Sequence, residues 1–232
     1  MSEPEHQVVV TSDEQQKAGE LADELPATLP LLPLKETVVF PGSLTPLAIG
    51  QERSVRLIED VVGGDRLLAL VTVRNEESDA PGWDDLYEVG TAALVHKMIR
   101  VPDGSLRILA QGLRRIRRGR PVMDDPYLIG EFVELPDEGG ESREVEALTR
   151  NVQSLFARVI GMVAYLPEEL QIAAANAEDA STLCHLVAST LRLKTEEKQR
   201  LLEETNVEQR LRDLSLILNR ELEVFELGTR IQ

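Results

Sequence analysis

Cysteine is almost missing from this chain: Cys184 stands alone among 232 residues. No intramolecular disulfide can form, and a zinc site of four cysteines is excluded. A lone thiol suits a reducing compartment. Long apolar runs are missing too. No stretch reaches the roughly 18 residues that a bilayer-crossing helix needs. Acids stand at the N-terminus where a secretory signal carries bases, and Val8-Val9-Val10 is too short for its apolar region. These features read as a cytoplasmic protein. Positive charge is scarce, with 25 Lys and Arg against 41 Asp and Glu and a net charge of -16. Such a surface repels phosphate backbones and anionic membranes, because binding them needs cations that replace counterions. Nucleic acid and membrane are therefore not expected as partners. Aromatics make up only 3%, so Leu, Val, Ile and Ala must build the core.

Motifs that carry chemistry are absent as well. A P-loop needs Gly-x-x-x-x-Gly-Lys-Ser/Thr, so that backbone amides cradle phosphates while Lys reaches the outer ones. No Gly-Lys pair occurs. His6, His96 and His185 are far apart and form no His-x-x-x-His pair. Asp179, Ser181 and His185 crowd one predicted helix, but a triad is defined by roles in space, and a helix cap at Asp179 or Ser181 is the plainer reading. Cys184 reads as a small buried hydrophobe. No catalytic residue, metal site or cofactor is assigned, and the chain is expected not to be an enzyme.

What is present divides into two textures. Residues 1–27 hold seven acids and one lysine, Lys17, and are expected to be a disordered acidic tail; the rival is a helix over 12–25 with Ser12 as N-cap. Residues 28–136 read as a β-rich unit. Short apolar runs broken by Pro and Gly, such as Leu29 to Leu34 and Val38 to Phe40, enter a sheet through irregular edges. Gln51 to Val62 has helical spacing and stops at Gly63-Gly64. Arg66 to Val73 is a buried strand. Leu94 to Val101 and Ser105 to Leu109 flank Pro102-Asp103-Gly104, a hairpin turn with a mechanism: Pro presets φ, Asp bonds the backbone and Gly accepts positive φ. The second strand continues to Arg118, and Tyr127 to Leu135 forms another.

Residues 137–142 read as a linker, and 143–232 as a helical unit. Leu148, Val152, Leu155, Val159 and Val163 share one helix face. Pro167-Glu168-Glu169 starts the next helix, Thr195 caps a short one, and Asn206 to Gln209 resembles a capping box. Val207, Leu211, Leu214, Leu218, Leu222 and Phe225 stripe a last helix with no convincing stop, which suggests a piece of a longer protein.

Two surface features draw attention. Arg114, Arg115, Arg117, Arg118 and Arg120 form a basic run, but strand alternation splits it between faces and no aromatic interleaves for base stacking. It is expected to be a charged edge strand that blocks aggregation. Met98, Ile99 and Leu106 lie on the two arms of the hairpin. Exposed apolar groups of this kind mark interaction sites, so these three are the candidate substrate-binding residues.

Leu29-Pro-Leu-Leu-Pro-Leu-Lys-Glu-Thr-Val-Val-Phe-Pro-Gly42, Thr45 to Gly50 and Asp85 to Thr91 occur in order and spacing that resemble the N-terminal domain of the Lon protease family. Pro102 to Gly104, Gln111 to Ile116, Asp125 to Tyr127, Leu193 to Leu202 and Glu221 to Gly228 continue the likeness. It covers about residues 29–232. The resemblance implies an α+β fold: a PUA-like β pseudo-barrel followed by an α-helical bundle ending in a long helix. It further implies a module that captures unfolded or damaged proteins for a hexameric bacterial ATP-dependent protease. The alternative is a standalone regulatory domain of the same fold that binds one partner or a small ligand.

Overall fold

The computed structural model describes residues 10–231. Residues 1–9 of the expected acidic tail thus lie outside the described residues, but the rest of that tail departs from expectation. Ser12–Asp23 form a helix, α1. Thr11, one residue before the expected cap, accepts from Glu14 N at 3.3 Å, and Glu14 accepts from Thr11 N at 2.8 Å. This reciprocal box satisfies two end donors. The composition looked too polar to fold because the residues that dock are small: Ala18 and Ala22 are buried against the sheet, with Leu21 and Leu25 beside them.

The sheet follows. Strands β1 (Thr28–Leu34) and β2 (Leu44–Ile49) precede helix α2 (Glu52–Gly63); then come β3 (Leu67–Thr72), β4 (Val89–Arg100), β5 (Leu106–Met123) and β6 (Ile129–Glu134). The order is β2-β5-β4-β3-β1-β6, and β5 pairs with β6 as well. The long strand β5 makes this possible. Its first half pairs with β2 and β4, and its second half pairs with β4 and β6, which closes the sheet on itself. Every residue of β3 is buried because both faces are covered. Leu67, Ala69 and Val71 face one cluster with α1. Leu68 and Leu70 face another with Leu57, Ile58 and Val61 of α2. The hairpin turn forms as its residues dictate: Gly104 takes φ 88°, and Asp103 accepts from Ser105 N at 2.9 Å.

Helices α3 (Arg143–Met162), α4 (Glu169–Ala175), α5 (Ala180–Thr190), α6 (Thr195–Glu203) and α7 (Val207–Ile231) build the second lobe. Ser142 caps α3 and Asp179 caps α5. Thr195 is the first residue of α6 rather than its cap; Lys194 holds that position without a side-chain bond. Asn206 accepts from Gln209 N at 2.9 Å at the start of α7. The bundle core does not stop at the bundle. Val38, Phe40 and Val89 from the barrel lobe belong to the same cluster as Val159, Leu183, Leu211 and Leu214. Phe40 reaches it because the chain passes over Gly112, where an added Cβ would lie 2.1 Å from Phe40 O.

Candidate functional site

Of the three hairpin candidates, the structure separates one from the others. Ile99 is 65% exposed. Met98 is half-buried and packs against the α2-side cluster. Leu106 is fully buried, which corrects its assignment to a binding surface. β5 is an interior strand here: Leu106 sits between Ile49 of β2 and Arg100 of β4, on the face that α2 covers. Arg107, opposite Ile99, is exposed instead, and so are Lys97 and Arg100. Ile99 is thus one apolar group in a basic surround on an acidic chain. A second apolar surface was not anticipated. Val122 and Met123, both exposed, line a cleft of about 420 Å3 with Trp83 and Leu128.

The arginine run is also not on an edge strand: β5 pairs with β4 through Arg117 and with β6 from Ile116 onward, so the middle of the run has a neighbour on each side. The five side chains meet different fates. Arg114 pairs with Asp23 and Glu134 at the surface, and Arg120 with Glu131. Arg117 points to solvent. Arg118 donates to the carbonyls of Trp83 and Leu86 and lies over the Trp83 ring. Arg115 is buried at the junction of the lobes.

That junction is built around Asp137. Oδ1 accepts from Arg115 of β5 and from Arg210 of α7, each at 2.6 Å, and Oδ2 accepts from Ser181 of α5. Both guanidiniums are almost fully buried; Arg115 also donates to the carbonyls of Leu135, Leu202 and Glu204, and Arg210 to the carbonyl of Glu204 and the hydroxyl of Ser181. Burial works to raise the Asp137 pKa, but hydrogen bonds from Ser181 and Arg210 and the positive charge of Arg210 prevail and hold it down at about 2. The next residue is pinned too: Glu138 N donates to Thr205 O, and Val207 N to Glu138 O. The expected linker 137–142 is therefore anchored at its first two residues, before Gly139 and Gly140 turn at positive φ.

The sequence cluster Asp179, Ser181, His185 does not assemble as a triad. Asp179 caps α5, and the carboxylate near Ser181 is that of Asp137, bonded to the serine and not to the histidine. Ser181 Oγ lies 3.4 Å from His185 Nε2. Burial, together with the Arg210 charge, pushes the His185 pKa down to about 3, so the ring is a poor base at neutral pH. Burial pushes the Cys184 thiol up to about 12, which leaves it inert as a nucleophile. His96 is an ordinary strand residue bonded to Gln111. Among the described residues no helix is long and apolar enough to cross a membrane.

A ring of β5, β4, β3, β1 and β6, with β2 alongside β5, shares its core with a helical bundle, and an ionic hub lies between them; the fold class is α+β. A family model described as the ATP-dependent protease La (LON) substrate-binding domain matches residues 28–220, and the chain belongs to that family. The Lon protease of Dictyoglomus thermophilum is 36% identical over 209 residues, 90% of this chain and 26% of that protein. The Lon protease of Koribacter versatilis is 39% identical over 207 residues, 88% of this chain and 25% of that protein. The chain spans about a quarter of the length of these relatives. The solved N-terminal domain of the Mycobacterium avium complex Lon protease has a TM-score of 0.69 at 22% identity, covering 83% of this chain and 98% of that one. A Lon N-terminal domain protein from Xanthomonas campestris gives 0.58 at 21%, covering 82% and 97%. At these identities the structures attest a shared fold. Helix α1 precedes the family match.

Proposed function

We propose that this chain is the substrate-recruiting module of a Lon-type ATP-dependent serine protease. It binds unfolded or damaged proteins in the cytoplasm and presents them to the ATPase of a hexameric parent, while catalysing no step itself. The match of residues 28–220 to the substrate-binding family carries this reading. The exposed Ile99 beside half-buried Met98 supplies an apolar contact on an otherwise charged hairpin, and such contacts suit partners that share no sequence, because apolar attraction is not directional.

Titration with a reduced, carboxymethylated protein that cannot refold tests the proposal. Ile99→Asp should weaken binding several-fold, since desolvating a new charge opposes contact, and leave the fold intact by circular dichroism. Binding should persist at 0.3 M salt, whereas an electrostatic contact through Arg107 would fade as ions screen it. If Arg107→Glu abolishes binding and Ile99→Asp does not, the hairpin acts by charge and the apolar reading is wrong. The purified chain should hydrolyse neither ATP nor casein above a buffer control; turnover that survives repurification would overturn its non-catalytic role.

A further inference from the structure

The strand register sorts the hairpin tip into two faces. Leu47 and Ile49 of β2, Leu106 and Ile108 of β5 and Met98 of β4 pack with α2. Residues one step along each strand point the other way. On that outer face Ile99, Arg107 and Ala48 lie opposite one another in one row, and Lys97, Leu109 and Pro46 in the next. Leu109 is half-buried and the other five are exposed, as is Leu44 two residues before Pro46. The three strands thus carry an apolar strip with one cation in each row.

These cations run against the character of the chain, whose net charge is -16. Arg100 belongs to the other face, where it pairs with Glu59 of α2. Among the described residues no carboxylate comes to ion-pair distance of Lys97 or Arg107. Two acids lie within electrostatic range, Asp103 of Arg107 and Glu14 of Lys97. Each is engaged elsewhere: Asp103 accepts from Ser105 N at 2.9 Å, and Glu14 from Thr11 N at 2.8 Å. The edge of β2 invites no further strand. Ser43 O accepts from Gly112 N at 2.9 Å, so alternation turns the backbone of Leu44, Pro46 and Ala48 away from β5. Pro46 has no N–H to offer there, and a proline on an edge blocks strand addition. A partner therefore rests on the face through its side chains.

We propose that this face selects, among unfolded segments, those whose apolar residues are flanked by Asp or Glu. The apolar side chains lie along Ile99, Leu109 and Pro46, and the acids meet Lys97 and Arg107. The inference rests on the recruiting role proposed above and names its substrate class. The apolar contact accepts any unfolded chain, because it is not directional. Two solvated cations add discrimination more than affinity. The field of an acidic chain as a whole draws basic ligands and repels acidic ones. The local charge of the tip and the global charge of the chain thus predict opposite preferences, which makes the sign of the preference the decisive observation.

The test uses the full 232-residue chain, 15N-labelled, and three short capped peptides. One has an apolar centre flanked by two Asp, the second the same centre flanked by two Lys, and the third a serine centre flanked by two Asp. Affinity is read from the amide shifts of 97–99 and 107–109, so that a basic peptide held by acids elsewhere does not count. The acid-flanked apolar peptide should bind there about fivefold tighter than the Lys-flanked one, the scale of two exposed ion pairs. The ratio should fall toward one at about 0.5 M salt. The serine-centred peptide should bind more weakly than its apolar counterpart. The double variant Lys97→Glu, Arg107→Glu should invert the preference, a gain for the Lys-flanked peptide that a damaged fold cannot give. If the acid-flanked and Lys-flanked peptides bind the tip equally, or the double variant leaves their order unchanged, charge selection is overturned and recruitment through Ile99 stands. If the serine-centred peptide binds as well as the apolar one, the tip is a plain anion site and the proposal falls as well. If neither these peptides nor the carboxymethylated protein bind, both readings fall.

Discussion

The two ends of the β4–β5 pair meet opposite surroundings. At the tip, Ile99, Arg100 and Arg107 stand in water, and Arg100 pairs with Glu59 across an exposed gap. At the far end, Arg115 is enclosed by β6, α6 and α7 and shares one carboxylate oxygen with Arg210. The same residue type on one strand is in one place a solvated charge and in the other part of the joint between lobes. Solvent screens the first. At the second, low dielectric makes pairing strong and loss of a partner severe.

That contrast can be broken most directly at Asp137. Asp137→Asn keeps the shape but leaves two buried guanidiniums facing one amide. The unfolding free energy should fall by about 3–5 kcal/mol, the usual cost of leaving a buried charge unpaired, as read from urea midpoints at constant slope. A loss below about 1 kcal/mol would place the junction with ordinary surface pairs.

A medium effect should appear with acid. His185 titrates near 6.5 when unfolded and near 3 when folded. As pH falls the unfolded chain takes up this proton first, so stability is complete above pH 6.5 and is lost as pH falls toward 3. At about 1.4 kcal/mol per unit, roughly 2 kcal/mol should go between pH 6.5 and 5. Asp137, depressed from 3.8 to about 2, adds its own loss only below 3.8, in a separate window. His185→Phe should flatten the upper window alone. A wild-type midpoint that stays level from pH 7 to 5 would mean that the ring protonates without opening the junction.

The smallest effect sharpens the comparison from the other side. Arg120→Ala removes a pair with Glu131 that is open to solvent, and should cost no more than about 0.5 kcal/mol. Thermal melts of the two arginine variants, Arg120→Ala and Arg115→Met, should then differ by several degrees. Equal shifts would erase the distinction between the ends of β5.

Elements set by local chemistry were legible before any coordinates. The Pro102-Asp103-Gly104 turn, the all-buried β3 and the striped face of α7 follow from φ preference and periodicity. Features set by distant neighbours were not. Arg115 looks like its neighbours until β6, α6 and α7 close over it. Leu106 passes for a hairpin arm until β2 pairs on its other side. Helix α1 depends on two alanines, whose contribution to a hydrophobicity count is slight although their fit is close. The Ser181 to Asp137 contact joins positions 44 residues apart and has no local signature.

Gly112 bears on how this fold may be cut and recombined. It belongs to the barrel, yet what it permits is the passage of Phe40 into the pocket formed by the helices, with the His185 ring 6.0 Å away. The change from strands to helices at 137–142 is therefore not a seam in the packing. A chimera that joins this barrel to the helices of a relative at that point would carry Phe40 into a socket shaped for another residue. Either half expressed alone would lay bare an aromatic plug or an empty apolar hole, and with it a tendency to aggregate. Grafts should instead move residues 38–40, position 112 and the bundle as one inheritance.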